Sequence, residues 1–148
     1  MEQKKSKAFL NFCKKIDVNP DNVPEVMSFE AACKDRKVDP KKLPVVTGLP
    51  ARHRKFIISG YKLAIIAEAI RGGKTANYND TNETKYFPVF KVKADSKRTS
   101  GFGLSYSYYG GWGTDSSVGV QLCFPNWDMQ RFFAERFLSL HKDYHLYT

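Results

Sequence analysis

Residues 51–71, ARHRKFIISGYKLAIIAEAIR, form the segment with the strongest helical pattern in the chain. Pro50 suits the first turn of the predicted helix, and Gly72 and Gly73 suit its C-cap. The centre of the segment is apolar almost all round, which is typical of a helix buried in the middle of a domain. Four basic residues, RHRK at 52–55, crowd the end where the macrodipole disfavours cations. They indicate either an anionic partner nearby or a solvated basic turn.

A repeat with a spacing of 20 residues precedes this helix. It pairs Phe9, Cys13, Lys14, Val18, Pro20, Pro24 and Val26 with Phe29, Cys33, Lys34, Val38, Pro40, Pro44 and Val46. Each copy predicts one short helix and a proline-bounded turn, because the residue before proline avoids the helical region. A unit this small must stack on something to bury its apolar face. The repeat therefore indicates either scaffolding or a duplicated adaptor surface.

The second half of the chain predicts strands and then a helix. After the polar loop at 74–85, strand-like runs lie at 86–93, 102–109 and 118–124, the last two with period-two alternation. An amphipathic helix is predicted from about Trp127 to Tyr144. These segments predict an α+β fold with a central long helix, a small three-stranded antiparallel sheet and a C-terminal amphipathic helix. We divide the chain into duplicated helix–turn units at 1–47 and an α+β body at 48–148.

The net charge of +9 on 148 residues is unevenly distributed. Residues 1–74 carry 16 basic and 8 acidic groups, whereas residues 75–148 carry 8 basic and 7 acidic groups. A hydrophobic content of 42% excludes a disordered chain, and the interrupted apolar stretch at 56–70 is too short to span a bilayer. The N-terminus has no long apolar segment, so we expect no signal peptide and a cytoplasmic protein.

No motif for catalysis or metal binding stands out. The three cysteines lack CxxC spacing, so reduced buried thiols are expected rather than disulfides or zinc ligands. RGGKT at 71–75 has Glu68 where a phosphate-binding loop needs glycine, which favours a helix C-cap. His141 and His145 suit cations at a helix C-terminus better than a metal site. We therefore predict a protein that is not an enzyme and has no cofactor and no bound metal.

The segment GFGLSYSYYGGWGTDSSVG, residues 101–119, has an unusual composition of six Gly, four Ser and three Tyr. Tyrosine and tryptophan give large contact area at low entropic cost, and Ser and Gly adapt their hydrogen bonds, as in antibody paratopes. Tyr106 and Tyr108 alternate inward with Phe102, so we expect one or both of them to belong to the core. The residues predicted to be exposed ligand contacts are Tyr109, Trp112, Thr114, Asp115 and Ser116. The alternative is an ordinary glycine-rich hairpin whose aromatics pack on the body.

The basic first half supports a different class of protein, an accessory protein that binds nucleic acid. Single-stranded DNA is one candidate ligand. Its predicted contacts are Lys4, Lys5, Lys7, Lys14, Lys15, Arg52, Arg54 and Lys55. These residues are separated in sequence from the aromatic segment, which itself contains no Lys or Arg. A third hypothesis is a virion or assembly component held by protein partners through the duplicated units.

The order of four segments also resembles a known group of proteins. KYFPVFKV (85–92), SGFGLSYSYYGGWG (100–113), SSVGVQLCF (116–124) and LHKDYHLY (140–147) resemble small uncharacterised proteins of gut bacteria and their phages or prophages. In that family a fixed stretch similar to VGSRLCF follows a stretch that differs widely between copies; here Val120 and Gln121 depart from it. The resemblance covers roughly residues 28–148.

The layout also resembles, loosely, the target proteins of diversity-generating retroelements, which display variable residues for ligand binding. The resemblance implies a phage- or prophage-associated protein of a family without an established activity. Together with the paratope-like composition of residues 101–119, it makes a non-enzymatic binding protein our leading hypothesis. The expected ligand is a protein or a surface. The sequence identifies neither this ligand nor the oligomeric state.

Overall fold

The computed structural model describes residues 3–97, 102–113 and 118–146, with only the backbone of Phe102 and Trp112. Within these ranges the chain forms five α-helices and a two-stranded antiparallel sheet. The elements in chain order are α1 (Lys7–Lys15), α2 (Phe29–Arg36), α3 (Ala51–Ile70), β1 (Lys85–Ala94), β2 (Phe102–Trp112), α4 (Trp127–Arg136) and α5 (Leu138–His145). Single turns of 3-10 helix lie at Pro20–Asn22 and Val120–Leu122.

The two copies of the sequence repeat end their helices with the same backbone geometry. Asp17 and Lys37, 20 residues apart, both adopt a left-handed φ of 56°. In each copy the N–H of the following valine donates to the carbonyl of the helix's buried cysteine, at 2.9 Å. Asn19 and Asp39 then each accept a hydrogen bond from the N–H two residues later. The sequence repeat is therefore matched by a repeat of the turn that follows the helix.

The long helix α3 runs through the core, as its apolar sequence predicts. Leu63, Ile66 and Ile70 have no exposed surface. The shorter α2 packs beside α3, with the Lys62 ammonium 5.1 Å from the Phe29 ring centre. Buried side chains of α1, α2, α3 and α4 form one continuous cluster, so the duplicated units and the body share a core.

The predicted three-stranded sheet is wrong, because residues 118–124 do not form a third strand. They pair with β1 through one bridge, in which Phe124 and Tyr86 exchange two hydrogen bonds of 2.8 Å. The buried Arg71 guanidinium donates to the carbonyls of Gln121 at 2.5 Å and Cys123 at 3.4 Å. Those carbonyls accept hydrogen bonds from a side chain instead of from a neighbouring strand. The backbone of this segment forms a 3-10 turn. Over the residues that the structure describes, the fold is α+β with two strands.

The predicted C-terminal helix is divided into α4 and α5 at Phe137, whose φ and ψ of −110° and 30° are not helical. Phe137 and His141 are both buried, and the His141 Nε2 lies 3.2 Å from the Phe133 carbonyl oxygen. The break thus allows side chains on both sides of it to enter the core. None of the helices in the described ranges combines the length and apolarity that a bilayer span needs.

Candidate functional site

The β1–β2 hairpin contains an irregularity that reverses the expected side-chain alternation. Val89 pairs with Tyr108 and Phe90 pairs with Tyr106, so Ser107 is an extra residue in β2. An inserted residue of this kind changes which face the following side chains occupy. Tyr106 is half-buried, whereas Tyr108 is 60% exposed. Of the two tyrosines that alternation places inward, Tyr106 faces the helices and Tyr108 does not.

The inner face of the hairpin is fixed to α4 and α5. The fully buried Gln130 amide donates to the Tyr106 hydroxyl at 2.9 Å, and burial raises the pKa of this tyrosine. The Arg131 guanidinium lies over the Tyr106 ring at 5.4 Å and over the Trp127 ring at 5.5 Å. On β1, the Phe90 ring packs 4.7 Å from the His141 ring. The inner face of this two-stranded hairpin is thus packed on α4 and α5 along the described residues.

The outer face carries tyrosine and lysine side chains together. Because successive strand residues point to opposite faces and Phe90 contacts α5, Val89, Lys91 and Lys93 lie on the face of β1 opposite Phe90; towards the end of the strand, Lys91 and Lys93 also line a cleft with Lys142 of α5. Tyr108 shares their face because it is the partner of Val89. Lys91 and Lys93 are exposed, and Lys91 lies two residues along β1 from Val89, the partner of Tyr108. We call Val89, Lys91, Lys93, Ser105 and Tyr108 the outer face.

Tyr109 is the predicted contact whose side chain can be located. It is 44% exposed, and its ring centre lies 5.2 Å from that of Tyr86. Trp112 ends β2. Thr114, Asp115 and Ser116 lie outside the described residues. Sequence reasoning missed Tyr108 because the inserted Ser107 depends on how the strands pair.

A glycine near the exposed tyrosines is required by packing. The Phe87 ring occupies the space that a Cβ on Gly110, its cross-strand partner, would fill. Any side chain at position 110 would displace this ring. At least one glycine of the segment is therefore required by packing within the hairpin. This agrees with the alternative of an ordinary glycine-rich hairpin.

The basic residues predicted for nucleic-acid binding lie in two places, at α1 and at the first turn of α3. Exposed members are Lys4, Lys7, Lys14, Lys15, Arg52, Arg54 and Lys55. Lys5 differs from them. Its ammonium donates to the Pro20 carbonyl, lies 3.9 Å from an Asp21 oxygen and sits over the Phe9 ring. Lys5 therefore has a structural role in the first repeat unit.

Lys85 and His141 are buried in the body, and each has a backbone carbonyl as a hydrogen-bond partner. Lys85 has no exposed surface, and its ammonium donates to the carbonyls of Asp80 at 2.5 Å and Glu83 at 2.7 Å, which closes the 77–85 loop. Burial lowers the pKa of His141 to about 3 and also lowers that of His145. His141 and His145 stack with ring centres 6.0 Å apart. In the described part of the chain, no group of three or more His, Cys, Asp or Glu residues could hold a metal ion.

Comparison with known protein families, curated proteins and solved structures finds no match to this chain. The functional class is therefore inferred from the residues and their geometry.

Proposed function

We propose that this chain is a non-enzymatic binding protein whose recognition surface is formed by the exposed tyrosines of β2, with Tyr108 on the outer face and its chain neighbour Tyr109 on the opposite face. The observation that carries the proposal is the 60% exposure of Tyr108 and 44% exposure of Tyr109 beside a fully buried Gln130 that anchors Tyr106. Tyrosine offers a large amphipathic contact at low entropic cost. A rigid support lowers the ordering cost of binding further.

The phage or prophage association belongs to the same proposal and is supported by the sequence resemblance. The protein acts in the cytoplasm of the producing cell or within the virion. If the hairpin is a display surface, natural copies of the gene should differ mainly at exposed codons between 105 and 117. Substitutions spread evenly along the gene, or avoiding these codons, would count against it.

A second candidate function, binding of single-stranded nucleic acid, is favoured by one specific observation. Such sites combine aromatic rings that stack on bases with cations that follow the backbone. On the outer face the exposed Lys91 lies two residues along β1 from Val89, the partner of the exposed Tyr108, and Lys93 lies two residues further along the same face.

Binding of a fluorescent oligothymidylate, with a duplex for comparison, separates the two candidates. Phosphate contacts give an affinity that falls steeply between about 50 and 200 mM salt. If this function holds, the double variant Lys91→Gln, Lys93→Gln should bind more weakly and with a smaller salt slope. Lys42→Gln, an exposed cation in the repeat units, should behave like the unaltered protein. Absence of binding at low salt would reject nucleic-acid binding and leave the first proposal standing.

A further inference from the structure

A cleft distinct from the hairpin lies where the first turns of α3 meet the end of α5. It has a volume of about 440 Å³ and is lined by Arg52, His53, Phe56, Ile57, Tyr144, His145 and Leu146. This volume falls within the range of small-molecule sites, roughly 300–1,000 Å³. The cleft has an apolar wall and a basic end. Each of them can contact a different part of a ligand.

The wall of the cleft is aromatic. The rings of Phe56 and Tyr144 are stacked, with centres 5.0 Å apart and planes 8° from parallel. Phe56 nevertheless remains 48% exposed, so a large apolar surface faces solvent at the cleft. A Cβ at Gly60 would lie only 3.1 Å from Tyr144 Cε2, which means that the glycine allows this ring to approach α3. Glycine inside a helix is less stable than alanine, so the close approach of the Tyr144 ring explains its presence here.

Among the described residues, no carboxylate neutralises the basic end of the cleft. The exposed Arg52 donates from Nε to His53 Nε2 at 3.2 Å, and within the described chain no carboxylate forms an ion pair with it. The described lining residues include no Asp or Glu. Pro50 provides no side-chain cap, and the first turn of α3 has no acidic residue. The positive end of the helix dipole therefore adds to the charge of Arg52.

We propose that this cleft binds a small aromatic anion, with its planar ring against Phe56 and Tyr144 and its carboxylate or phosphate on Arg52. Arginine pairs with both groups through two parallel N–H donors, so the geometry fits aromatic carboxylic acids and nucleoside monophosphates alike. The aromatic wall favours a flat ring over an extended alkyl chain because offset-stacked rings attract one another beyond their buried area. This site is independent of the hairpin proposal.

The test uses the fluorescent naphthalene sulfonate ANS as a probe, displaced by indole-3-acetate, AMP or uncharged indole. We expect saturable ANS binding, with either indole-3-acetate or AMP displacing it at a concentration at least about tenfold below that of indole; the better competitor identifies the source of the anion. Arg52→Gln should weaken ANS and the competing anion at least about tenfold. Phe56→Ala should weaken all four compounds.

Lys55→Gln is the matched control, since it removes one exposed positive charge from the same helix turn without touching the cleft. It should change affinity less than about twofold because exposed charges are strongly screened. Thermal unfolding of each variant establishes that it is folded. The proposal fails if ANS does not saturate, if indole competes as well as both anions, or if Arg52→Gln and Lys55→Gln have equal effects. Tyr108→Ser should leave the cleft unchanged, so failure here is distinguishable from failure of the hairpin proposal.

Discussion

The side chains of Tyr106 and Gln130 are hydrogen-bonded to each other across the interface between β2 and α4. The Gln130 amide donates to the Tyr106 hydroxyl at 2.9 Å, and Gln130 has no exposed surface. A buried amide needs such a partner, because burial without one costs free energy. This pair fixes the inner face of the hairpin and leaves Tyr108 and Tyr109 at the solvent.

Removing one partner of this pair should destabilise the protein. We expect Tyr106→Phe to lower the free energy of unfolding by about 1–3 kcal/mol, because the Gln130 amide then loses its partner inside the protein. The double variant Tyr106→Phe, Gln130→Leu should lose less than the sum of the single losses, with a coupling of about 1 kcal/mol. Urea unfolding of all four proteins measures this; additive losses would contradict the assigned contact.

Exposed and buried positions of β2 should differ sharply in their tolerance of substitution. Tyr108→Ser should change the free energy of unfolding by less than about 0.5 kcal/mol, since most of this side chain is already in water. Leu104→Ala, at a position that is 6% exposed, should cost about 2–5 kcal/mol. Both are measured by urea unfolding. Equal losses would mean that Tyr108 is a core residue.

Stability should decrease as the pH falls from 7 to 5. Burial lowers the pKa of His141 to about 3, so below its ordinary value of 6.5 the unfolded chain binds a proton that the folded chain excludes. The loss approaches about 1.4 kcal/mol per pH unit for this histidine, and His145, whose pKa burial also lowers, acts in the same direction. Urea unfolding across this range gives the slope. His141→Leu should flatten it; an unchanged slope would show that His141 is not responsible.

Arg71 should be essential for the chain segment that replaces the third strand. Arg71→Met removes the donor from the carbonyls of Gln121, Cys123 and Lys74, and we expect a loss of about 3 kcal/mol. Arg54→Met is the control, since Arg54 is exposed and bonds only to the Leu49 carbonyl among the described contacts; it should cost less than about 1 kcal/mol. Thermal and urea unfolding measure both. Equal losses would contradict this role of Arg71.

Secondary-structure elements that depend on residues close together in the chain could be predicted from the sequence. The apolar run at 51–71 predicts α3, and the repeat spacing predicts the paired helices and the turns that Asp17 and Lys37 share. These features depend on residues that are neighbours in the chain. The α+β class follows from them and from the strand-like runs.

Elements decided by distant contacts could not be predicted. The alternation at 118–124 is typical of a strand, but Arg71, about 50 residues earlier in sequence, takes the carbonyls that a ladder would use. Likewise, the register around Ser107 decides that Tyr108 is exposed, and the meeting of Arg52 with Tyr144 arises from packing of α3 on α5. None of these contacts can be predicted from the spacing of residues in the sequence.

The most direct test of the recognition surface is the frequency of amino-acid substitutions at each codon of the hairpin across many natural copies of the gene. The account predicts frequent substitution at the exposed positions Ser105, Ser107, Tyr108 and Tyr109, and little at Leu104, Tyr106 and Gly110, which packing constrains. Equal frequencies in the two sets, or fewer substitutions at the exposed positions than in the rest of the chain, would contradict the claim that this hairpin displays a variable binding surface.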